Sequence, residues 1–374
     1  MDKYYYFDNA SSSYPKAPNI MDFTGLVNPS KGAYDMSFDT ARIVFKTRKK
    51  LANLFGLKDI RRVIFTSGAT HSINIVLNGL LKQNDIVVIT NYEHNAVFRT
   101  LNHLKAKLNL ELRIIPCESD FSLDLKVAYD MLKGAKLLIS THVNNVCGKM
   151  ANVDELSELA KINKTFFMLD AAQSVGTITM NDIMNKVDFL CFSAHKGLLS
   201  LSGLGGLLIN DDFDINLLEP LIYGGTSSFS DSEKMPEFLP DKYEAGSLNY
   251  HAIASLFNSI DYIEQIGIEN IYQKNLELRE YFLANAKGII IHDIKNSINN
   301  VSILFKNIDI SKATDKLNKD YKICVRSGLH CSILTHKLLG TFSKGGSIRI
   351  AFGVHNNLDE TKYLIKALEE ISND

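Results

Sequence analysis

The stretch TFFMLDAAQSVGTITMNDIMNKVDFLCFSAHKG, residues 165–197, contains two apolar runs that each end in polar residues. TFFMLD ends in Asp170, and VDFLCFS is followed closely by Lys196. Short runs that are apolar throughout are typical of strands buried on both faces of a parallel sheet. In such sheets the residues at the carboxyl ends of the strands line the binding crevice. We therefore expect Asp170 and Lys196 to lie near each other at one edge of a mostly parallel sheet.

The pattern extends from about Arg62 to Ile209, where short apolar runs alternate with helical patterns. This alternation predicts an α/β fold, with a mostly parallel sheet covered by helices on both faces. After a loop rich in glycine, serine and proline, the remainder is typical of a smaller α+β unit with strands IIIHDI, NNVSILFK, YKICVRS and SIRIAFG. We predict a large domain over residues 15–250 and a small C-terminal domain over residues 251–374. Whether residues 1–14 pack on the small domain is left open.

Composition and charge exclude several classes of protein. The chain has 374 residues, of which 45% are hydrophobic, enough for a sizeable core. Its 41 basic residues nearly balance 42 acidic ones, which removes the electrostatic footprint of a nucleic-acid-binding protein. No apolar run approaches the length of a membrane span, and MDKYYYFDNASSS lacks the pattern of a secretory signal. The sequence thus indicates a cytoplasmic protein that acts on a small molecule, without nucleic-acid or membrane partners.

The five cysteines form an odd set without C-x-x-C spacing. This pattern predicts neither a disulfide framework nor a zinc site, and we expect no metal site. Cys117, Cys191 and Cys324 lie in or after strand-like runs and are typical of small buried hydrophobes. Cys147 and Cys331 adjoin glycine and polar residues in predicted loops. Taken alone, Cys331 in VRSGLHC is open to three interpretations: an inert buried thiol, a metal ligand or a nucleophile.

Lys196 and Asp170 together indicate a cofactor. A lone lysine at a strand end is usually a surface residue, but a desolvated lysine can bind a carbonyl carbon covalently. A carboxylate at the end of a buried strand is unfavourable unless a cation or hydrogen-bond donors meet it, and capping of a helix is the alternative role. A covalent lysine and an aspartate partner of a protonated pyridine nitrogen are the marks of a pyridoxal 5′-phosphate (PLP) site. The pair therefore predicts PLP.

Further strand ends carry residues that such a cofactor needs. SGATHS, residues 67–72, places a glycine turn and Thr70 before a helical pattern, as a phosphate site requires. His94 follows DIVVIT, where an imidazole could stack on a flat ring, although a surface or core histidine is the commoner outcome. Asn145 follows the run LLIS. GLGGL, residues 203–207, suggests a rival dinucleotide site, but it precedes a strand instead of following one.

Motifs along nearly the whole chain resemble those of the class V, fold-type I PLP enzymes of the cysteine desulfurase group, specifically the selenocysteine lyase-like branch. The motifs are YFDNASSSYPK, SGATHSIN, EHNA, HVNNVCG, DAAQS, SAHKG, YGGTSS, YEAGSLN, RSGLHC and SIRIAFG. The resemblance implies a fold-type I architecture, with PLP bound in the large domain.

The resemblance also implies roles for particular residues. Lys196 would bind the cofactor covalently, Asp170 would pair with the pyridinium nitrogen, and Gln173 would contact the ring hydroxyl. His94 would stack on the ring and assist proton transfer, and Cys331 would be the nucleophile. The remaining implied roles are binding of the phosphate by Ala69, Thr70, Ser193, His195 and, across a dimer interface, Ser247; contact with cofactor and substrate by Asn145; and binding of the substrate carboxylate by Arg349.

The implied activity is the removal of sulfur from L-cysteine, which gives L-alanine and a persulfide on Cys331. A lyase acting on L-selenocysteine, another class V lyase or aminotransferase, and a persulfide carrier with little activity alone remain alternatives. The resemblance further implies a homodimer and a sulfur-acceptor protein. It leaves open whether His330 or His94 favours the thiolate. The chain departs from the usual family residues at several positions, among them His71, Cys147, Ser227, Ser247, Ser332 and Ile333.

Overall fold

The computed structural model describes residues 3–29, 32–118, 120–226 and 228–373, and the departure noted at Ser227 lies outside these ranges. The strands are β1 (Tyr5–Tyr6), β2 (Val63–Thr66), β3 (Ile86–Ile89), β4 (Glu111–Ile114), β5 (Leu137–Thr141), β6 (Phe166–Asp170), β7 (Phe189–Ser193), β8 (Gly205–Ile209), β9 (Ile289–His292), β10 (Asn300–Phe305), β11 (Ile323–Cys324), β12 (Arg326–Gly328) and β13 (Ser347–Ala351). The helices are α1 (Asp35–Phe55), α2 (Ala69–Leu80), α3 (Asn95–Leu108), α4 (Leu125–Met131), α5 (Val153–Asn163), α6 (Tyr250–Ile266), α7 (Ile268–Asn285), α8 (Ile310–Tyr321), α9 (Ile333–Leu338) and α10 (Leu358–Asn373), with short 3-10 turns at Ile60–Arg62, Ile183–Asn185, Ile215–Leu217 and Phe342–Lys344.

Seven strands form the larger sheet, in the order β2-β8-β7-β6-β5-β3-β4. Neighbouring strands from β7 to β4 are parallel, whereas β8 runs antiparallel to both β7 and β2. The parallel strands therefore end at one edge, where ligands bind in open α/β sheets. This arrangement confirms the predicted α/β fold with a mostly parallel sheet. It also places Asp170, the last residue of β6, opposite Cys191 near the carboxyl end of β7.

Both faces of the larger sheet are covered by helices, because alternate residues along each strand are apolar on opposite sides. Leu138 and Leu190 belong to a core that includes side chains of α1, α5 and α6. Their neighbours Leu137 and Phe189 belong to a second core that includes side chains of α2 and α3. Burial on both sides explains why these strands are apolar throughout instead of alternating.

The smaller sheet has the order β12-β13-β10-β9 and is antiparallel. It packs with α7, α8 and α10 around a third apolar core. In its register Arg326 of β12 lies directly opposite Arg349 of β13. Asp8 forms an isolated bridge with Ala351, so the amino-terminal segment runs beside the end of β13. The smaller sheet thus carries two arginines on facing positions, and an acidic residue passes next to them.

The sequence predicts a single strand over YKICVRS, and the structure divides it in two. β11 pairs in parallel with β1, with Tyr5 opposite Ile323, whereas β12 pairs with β13 in the smaller sheet. A run of apolar and polar residues does not by itself show that its two halves have different partners. The division lets one segment hold the amino terminus and also carry Arg326 into the smaller sheet.

The larger sheet lies within residues 63–209 and the smaller sheet within residues 289–351. These ranges support the division into domains of residues 15–250 and 251–374, which we keep as a proposal. Helix α6 begins at this division and contributes Ile253, Leu256 and Ile260 to the core of the larger sheet. The helix therefore packs on the larger sheet, although the proposed division assigns it to the small domain.

Candidate active site

Asp170 and Lys196 lie close enough at the edge of the larger sheet to influence each other's charge. Asp170 is buried, and its Oδ1 accepts a hydrogen bond from the backbone N–H of Ala172 at 3.0 Å. Burial raises the pKa of the Asp170 carboxyl, and the charge of Lys196 opposes that rise. Burial lowers the pKa of the Lys196 amine to about 8, while the charge of Asp170 opposes this shift. The edge thus holds an amine that is readily deprotonated beside a carboxylate, as the sequence predicts.

The turn between β2 and α2 provides backbone N–H groups. Helix α2 begins at Ala69, whose N–H donates to Ser193 Oγ at 3.0 Å, and Thr70 follows in the first turn. The first N–H groups of a helix have no partner within the helix and attract anions. A Cβ atom on Gly205 would lie 2.5 Å from the Cα of Gly68, so β8 approaches the turn more closely than any side chain permits. The turn is therefore a backbone cradle that fits a phosphate.

His94 lies at the carboxyl end of β3 and caps α3. Its Nδ1 accepts a hydrogen bond from the N–H of Ala96 at 3.0 Å, so the proton of the neutral ring is on Nε2. Burial lowers the pKa of His94 to about 4, and the charges of Lys196 and Arg349 add to the shift. The imidazole is consequently neutral near pH 7 and presents an Nε2–H donor.

Arg349 of β13 reaches the loop that follows β5. Its Nη1 donates to the carbonyl oxygen of Asn145 at 3.0 Å, and its Nη2 donates to Asp8 Oδ1 at 2.7 Å and to Ser11 Oγ at 2.6 Å. Arg349 is almost fully buried, which lowers its pKa, and the Asp8 charge opposes that shift. Sequence reasoning assigned no role to Asp8 or Ser11, although both lie in the motif YFDNASSS, because nothing local indicates their distant partner.

Cys331 lies on a left-handed turn that is attached to the larger sheet. His330 and Cys331 have φ angles of 47° and 55°, a conformation that residues other than glycine adopt rarely. The carbonyl oxygen of His330 accepts from Asn145 Nδ2 at 2.7 Å, and that of Cys331 accepts from the backbone N–H of Asn95 at 2.7 Å. The Cys331 side chain is exposed. The loop that follows β5 and the first residue of α3 thus hold the backbone that carries the thiol.

The imidazole of His330 is engaged by groups other than the thiol. Its Nε2 lies 3.2 Å from the carbonyl oxygen of Arg326, and its Nδ1 lies 3.2 Å from His336 Nε2. Because a carbonyl can only accept, His330 Nε2 carries the proton, and His330 Nδ1 accepts from His336 Nε2. In this tautomer His336 Nδ1 accepts in turn from the Thr341 hydroxyl at 2.7 Å. Burial lowers the pKa of His330 to about 3. The geometry makes His330 a support of the turn and does not favour it as the activator of Cys331.

Glu93 is a further residue, after Asp8 and Ser11, to which sequence reasoning assigned no role. Its buried carboxylate accepts from Thr90 Oγ1 at 2.6 Å and from the backbone N–H and hydroxyl of Thr141, each at 2.9 Å. Burial raises its pKa to about 7, and these donors oppose the rise. Its own carbonyl oxygen accepts from Ser332 Oγ at 3.3 Å. Glu93 therefore joins the ends of β3 and β5 to the segment after Cys331.

A family model described as "Aminotransferase class-V" matches residues 5–364. The chain belongs to this family. A probable cysteine desulfurase of Pyrococcus abyssi is 32% identical over 386 residues, covering 98% of this chain and 94% of the relative. One of Methanothermobacter thermautotrophicus is 30% identical over 380 residues, with shares of 98% and 94%. The apo structure of the cysteine desulfurase from Thermococcus onnurineus NA1 superposes with a TM-score of 0.91 at 30% identity, covering 99% of this chain and 95% of that one. The class-V membership confirms the resemblance stated from the motifs.

Class-V enzymes of this kind depend on PLP, and the residues at the strand edge fit that group. Within the described ranges, the buried side-chain atoms without a hydrogen-bond partner include Asn145 Oδ1, His195 Nδ1 and Arg349 Nε. Gln173 is buried at the same edge and donates to the carbonyl oxygen of Ala10 at 2.8 Å. Asp170 would hold the ring nitrogen, Lys196 the carbonyl carbon, and the α2 cradle with Ser193 the phosphate. The arrangement supports the class-V cofactor.

Ser247, a predicted phosphate ligand, lies at a cavity beside the turn that begins α2. It is exposed, its Oγ accepts from Asn28 Nδ2 at 3.3 Å, and it lines a cavity of about 410 Å³ together with Ser67 and His71. Lys196 lines a different, smaller cavity. The cavity of Ser247 therefore borders the turn that begins α2 and opens to the outside of the chain.

Two negative findings concern the class-V chain as far as it is described. None of the helices in the four described ranges is both long and apolar enough to cross a membrane. The same ranges contain no group of three or more histidine, cysteine, aspartate or glutamate side chains that could hold a metal ion. The cytoplasmic location stays a prediction.

Proposed function

We propose that this class-V enzyme is a PLP-dependent cysteine desulfurase, which removes sulfur from L-cysteine and holds it as a persulfide on Cys331. The placement of Cys331 carries the proposal, because the exposed thiol lies on a turn that Asn145 and Asn95 attach to the strand edge of Lys196. The names of the relatives from Pyrococcus abyssi and Thermococcus onnurineus support the same activity.

Arg349 and Asn145 bind the substrate in this proposal. Arg349 Nε is a buried donor, and Asn145 Oδ1 a buried acceptor, that have no partner among the residues which the structure describes. A guanidinium binds a carboxylate through parallel N–H groups, and a buried charge pair of this kind fixes the orientation of the ligand. Arg349 would hold the carboxylate of L-cysteine, so that the thiol of the substrate points toward Cys331.

Lys196 takes the proton from the substrate Cα. Its pKa of about 8 leaves an appreciable fraction of the amine neutral, and hence able to accept a proton, near physiological pH. When bound, PLP accepts the electron pair that remains at the substrate Cα. His94 presents its Nε2–H at the same edge, since Ala96 engages its Nδ1. Asp170 keeps a negative charge where the ring nitrogen needs a counter-charge.

The sulfur then moves from the substrate Cβ to Cys331 Sγ. The Cys331 thiolate attacks the substrate sulfur, an S–S bond forms, and the Cβ–S bond breaks with its electron pair remaining on the carbon side. Protonation completes the methyl group of L-alanine. L-cysteine and the enzyme thiol thus give L-alanine and the enzyme persulfide, and the step needs no external oxidant or reductant. The exposure of Cys331 supports access of its thiol to the substrate.

Trapping the persulfide tests this function. PLP-loaded enzyme is mixed with L-cysteine, and the thiols of the enzyme are then alkylated. The mass of the peptide that contains Cys331 is measured by mass spectrometry. We expect one extra sulfur atom on this peptide. Cys331→Ser should retain the absorbance of the bound cofactor but release no sulfide, whereas Cys324→Ser, which changes a thiol in β11, should behave as the wild type. Release of sulfide by Cys331→Ser at the wild-type rate would rule out transfer to this thiol.

We further propose that the enzyme is a homodimer. Large apolar side chains of α1 are exposed, namely Met36 at 48%, Phe38 at 50% and Phe45 at 54%, and grouped exposure of this kind marks interaction surfaces. The open cavity around Ser247 supports a contribution of its hydroxyl to a second copy. Sedimentation should give twice the chain mass, and Phe38→Glu should weaken the association. A monomeric wild type at micromolar concentration would contradict the dimer.

We also propose that an acceptor removes the sulfur from Cys331, because the exposed thiol can be reached from solution. L-cysteine is itself a thiol and a slow acceptor, so it is added at a few equivalents per active site. Alanine formation should then slow sharply after about one equivalent per active site, and an added dithiol should restore the initial rate. A rate that stays constant past the first equivalent and does not respond to the dithiol would contradict this proposal.

A further inference from the structure

Asp8 lies between two arginines of the smaller sheet. Arg326 and Arg349 are directly opposite each other on β12 and β13, and facing like charges on neighbouring strands destabilise a sheet. Asp8 Oδ1 accepts from Arg349 Nη2 at 2.7 Å, while its Oδ2 lies 3.3 Å from Arg326 Nε. Each carboxylate oxygen therefore meets one arginine. The three side chains together carry one excess positive charge.

The arginines differ in their surroundings. The side chain of Arg349 is 3% exposed and that of Arg326 is 53% exposed. A buried guanidinium needs a counter-charge much more than a solvated one does, because desolvation disfavours an unpaired ion. In the absence of a substrate, Asp8 supplies that counter-charge to Arg349.

A substrate carboxylate must compete with Asp8 and Ser11 for the N–H donors of Arg349. A guanidinium offers two edges for bidentate binding, Nε with Nη2 and Nη1 with Nη2, so both edges include Nη2. The two N–H groups of Nη2 are taken by Asp8 Oδ1 and by Ser11 Oγ. Ser11 Oγ also donates to Asp8 Oδ1 at 2.6 Å, which joins these two residues into one unit. A carboxylate from outside can bind bidentately when this unit gives way.

We propose that Asp8 is an internal carboxylate that occupies Arg349 in the free enzyme and is displaced onto Arg326 when the substrate carboxylate binds. The inference rests on the proposed function, in which Arg349 binds that carboxylate. In the free state one carboxylate bridges two arginines, and in the bound state each arginine has its own carboxylate. The excess positive charge is then neutralised, which favours a ligand with one negative charge at this position.

The exchange would also reach the turn that carries Cys331. The carbonyl oxygen of Arg326 accepts from His330 Nε2, and the carbonyl oxygen of Asn145 accepts from Arg349 Nη1 while its side chain holds His330. A change in the partners of Arg326 and Arg349 therefore acts on both supports of the turn. Asp8 is a positioning and selectivity residue in this scheme, and Arg326 is its receiving cation.

Equilibrium binding of L-alanine to the PLP-loaded enzyme, measured by titration calorimetry, tests the exchange. L-alanine carries the same carboxylate as the substrate and has no sulfur to transfer. Asp8→Asn should bind L-alanine about tenfold more tightly than the wild type, since no anion has to be displaced. Weaker or unchanged binding would mean that Asp8 merely supports Arg349, and it would overturn the proposal.

Two further variants control the interpretation. Ser11→Ala removes the neutral partner of Nη2 and keeps the Asp8 charge, so it should tighten binding less than Asp8→Asn does. A larger effect of Ser11→Ala would show that the substrate displaces Ser11 instead. Arg326→Gln removes the receiving cation at a half-exposed position, and it should weaken L-alanine binding about tenfold in the Asp8 background but leave it unchanged in the Asp8→Asn background. Additive effects would contradict the exchange.

Arg349→Lys separates this inference from the proposed function. This variant keeps the charge but loses the two-pronged donor geometry, and it should bind L-alanine far more weakly than the wild type. If Arg349→Lys binds L-alanine as the wild type does, the proposed carboxylate site itself fails. If it loses binding and Asp8→Asn does not gain any, the carboxylate site stands and the exchange fails. The cofactor absorbance of each variant shows whether it is loaded and folded.

Discussion

The side-chain amide of Asn145 donates to the backbone carbonyl of His330 at 2.7 Å, across 185 positions of sequence. This bond joins the loop after β5 of the larger sheet to the turn that carries Cys331. On this turn His330 and Cys331 both have left-handed backbone angles, which are strained for residues with a side chain. The bond therefore stabilises a conformation that the turn would otherwise leave readily. It relates the position of the thiol directly to the site of the substrate.

Asn145→Ala should slow sulfur transfer more than it affects the cofactor. The loss of one buried hydrogen bond costs about 1–2 kcal/mol, so we expect persulfide formation on Cys331 to slow at least fivefold in a single turnover. The absorbance of the bound cofactor should remain. Asn270→Ala is a suitable control, because the exposed Asn270 side chain of α7 donates at 2.7 Å to the carbonyl oxygen of Ile266 at the end of α6, outside the site. An unchanged rate in Asn145→Ala would show that the bond does not position the turn.

Acid should destabilise the fold through buried histidines. Burial lowers the pKa of both His142 and His336 to about 4, from an ordinary value of 6.5. Below about pH 6.5 the unfolded chain binds protons at these residues that the folded chain does not bind until about pH 4. The free energy of unfolding therefore falls as the pH drops through this window, by up to about 1.4 kcal/mol per pH unit for each residue.

His336→Gln tests this prediction with one imidazole removed. Between pH 6.5 and 4.5 the free energy of unfolding, measured by urea denaturation, should fall less steeply in this variant than in the wild type. His103→Gln, at an exposed position of α3, should leave the fall of this free energy with pH as in the wild type. A wild-type slope in His336→Gln would contradict the assignment. Because His336 also donates to His330, the variant should in addition slow persulfide formation at neutral pH.

The predicted phosphate cradle depends on Gly205, a position at which there is no room for a side chain. A Cβ on Gly205 would lie 2.5 Å from Gly68 Cα, and a Cβ on the adjacent Gly206 would lie 2.6 Å from Cζ of Phe192 on the other face of the strand. Both alanine variants should lower the melting temperature, since overpacking costs about 1–3 kcal/mol. Gly205→Ala alone should also weaken PLP binding, by at least tenfold in a titration of apo-enzyme. Equal PLP affinities of the two variants would contradict this role.

The residues at the carboxyl ends of the strands could be predicted from the sequence, whereas the long-range contacts that hold them in place could not. Asp170 and Lys196 follow fully apolar runs, so their positions follow from the rule that parallel strands end at a common edge. The contact between Asp8 and Arg349 spans 341 positions. The resemblance implies a role for Arg349, but no local pattern indicates that Asp8 is its partner. The orientation of His330 depends on a left-handed turn, which a His-Cys pair does not indicate. Such contacts depend on tertiary packing and require the folded chain.

The capture of PLP by the apo-enzyme should depend on pH through Lys196. The neutral amine is the form that attacks a carbonyl, and burial lowers the Lys196 pKa from 10.5 to about 8. The rate of capture, followed by absorbance after rapid mixing, should therefore rise with pH and level off above about 8. The charge of Asp170 raises this pKa, so Asp170→Asn should move the midpoint to lower pH. Asp188→Asn is the matched control, because Asp188 precedes β7 at the opposite end of the same strand pair and accepts from the N–H of Phe167 at 2.7 Å. A wild-type midpoint near 10.5, or the same shift in both variants, would mean that Lys196 is not held in the environment that makes it reactive.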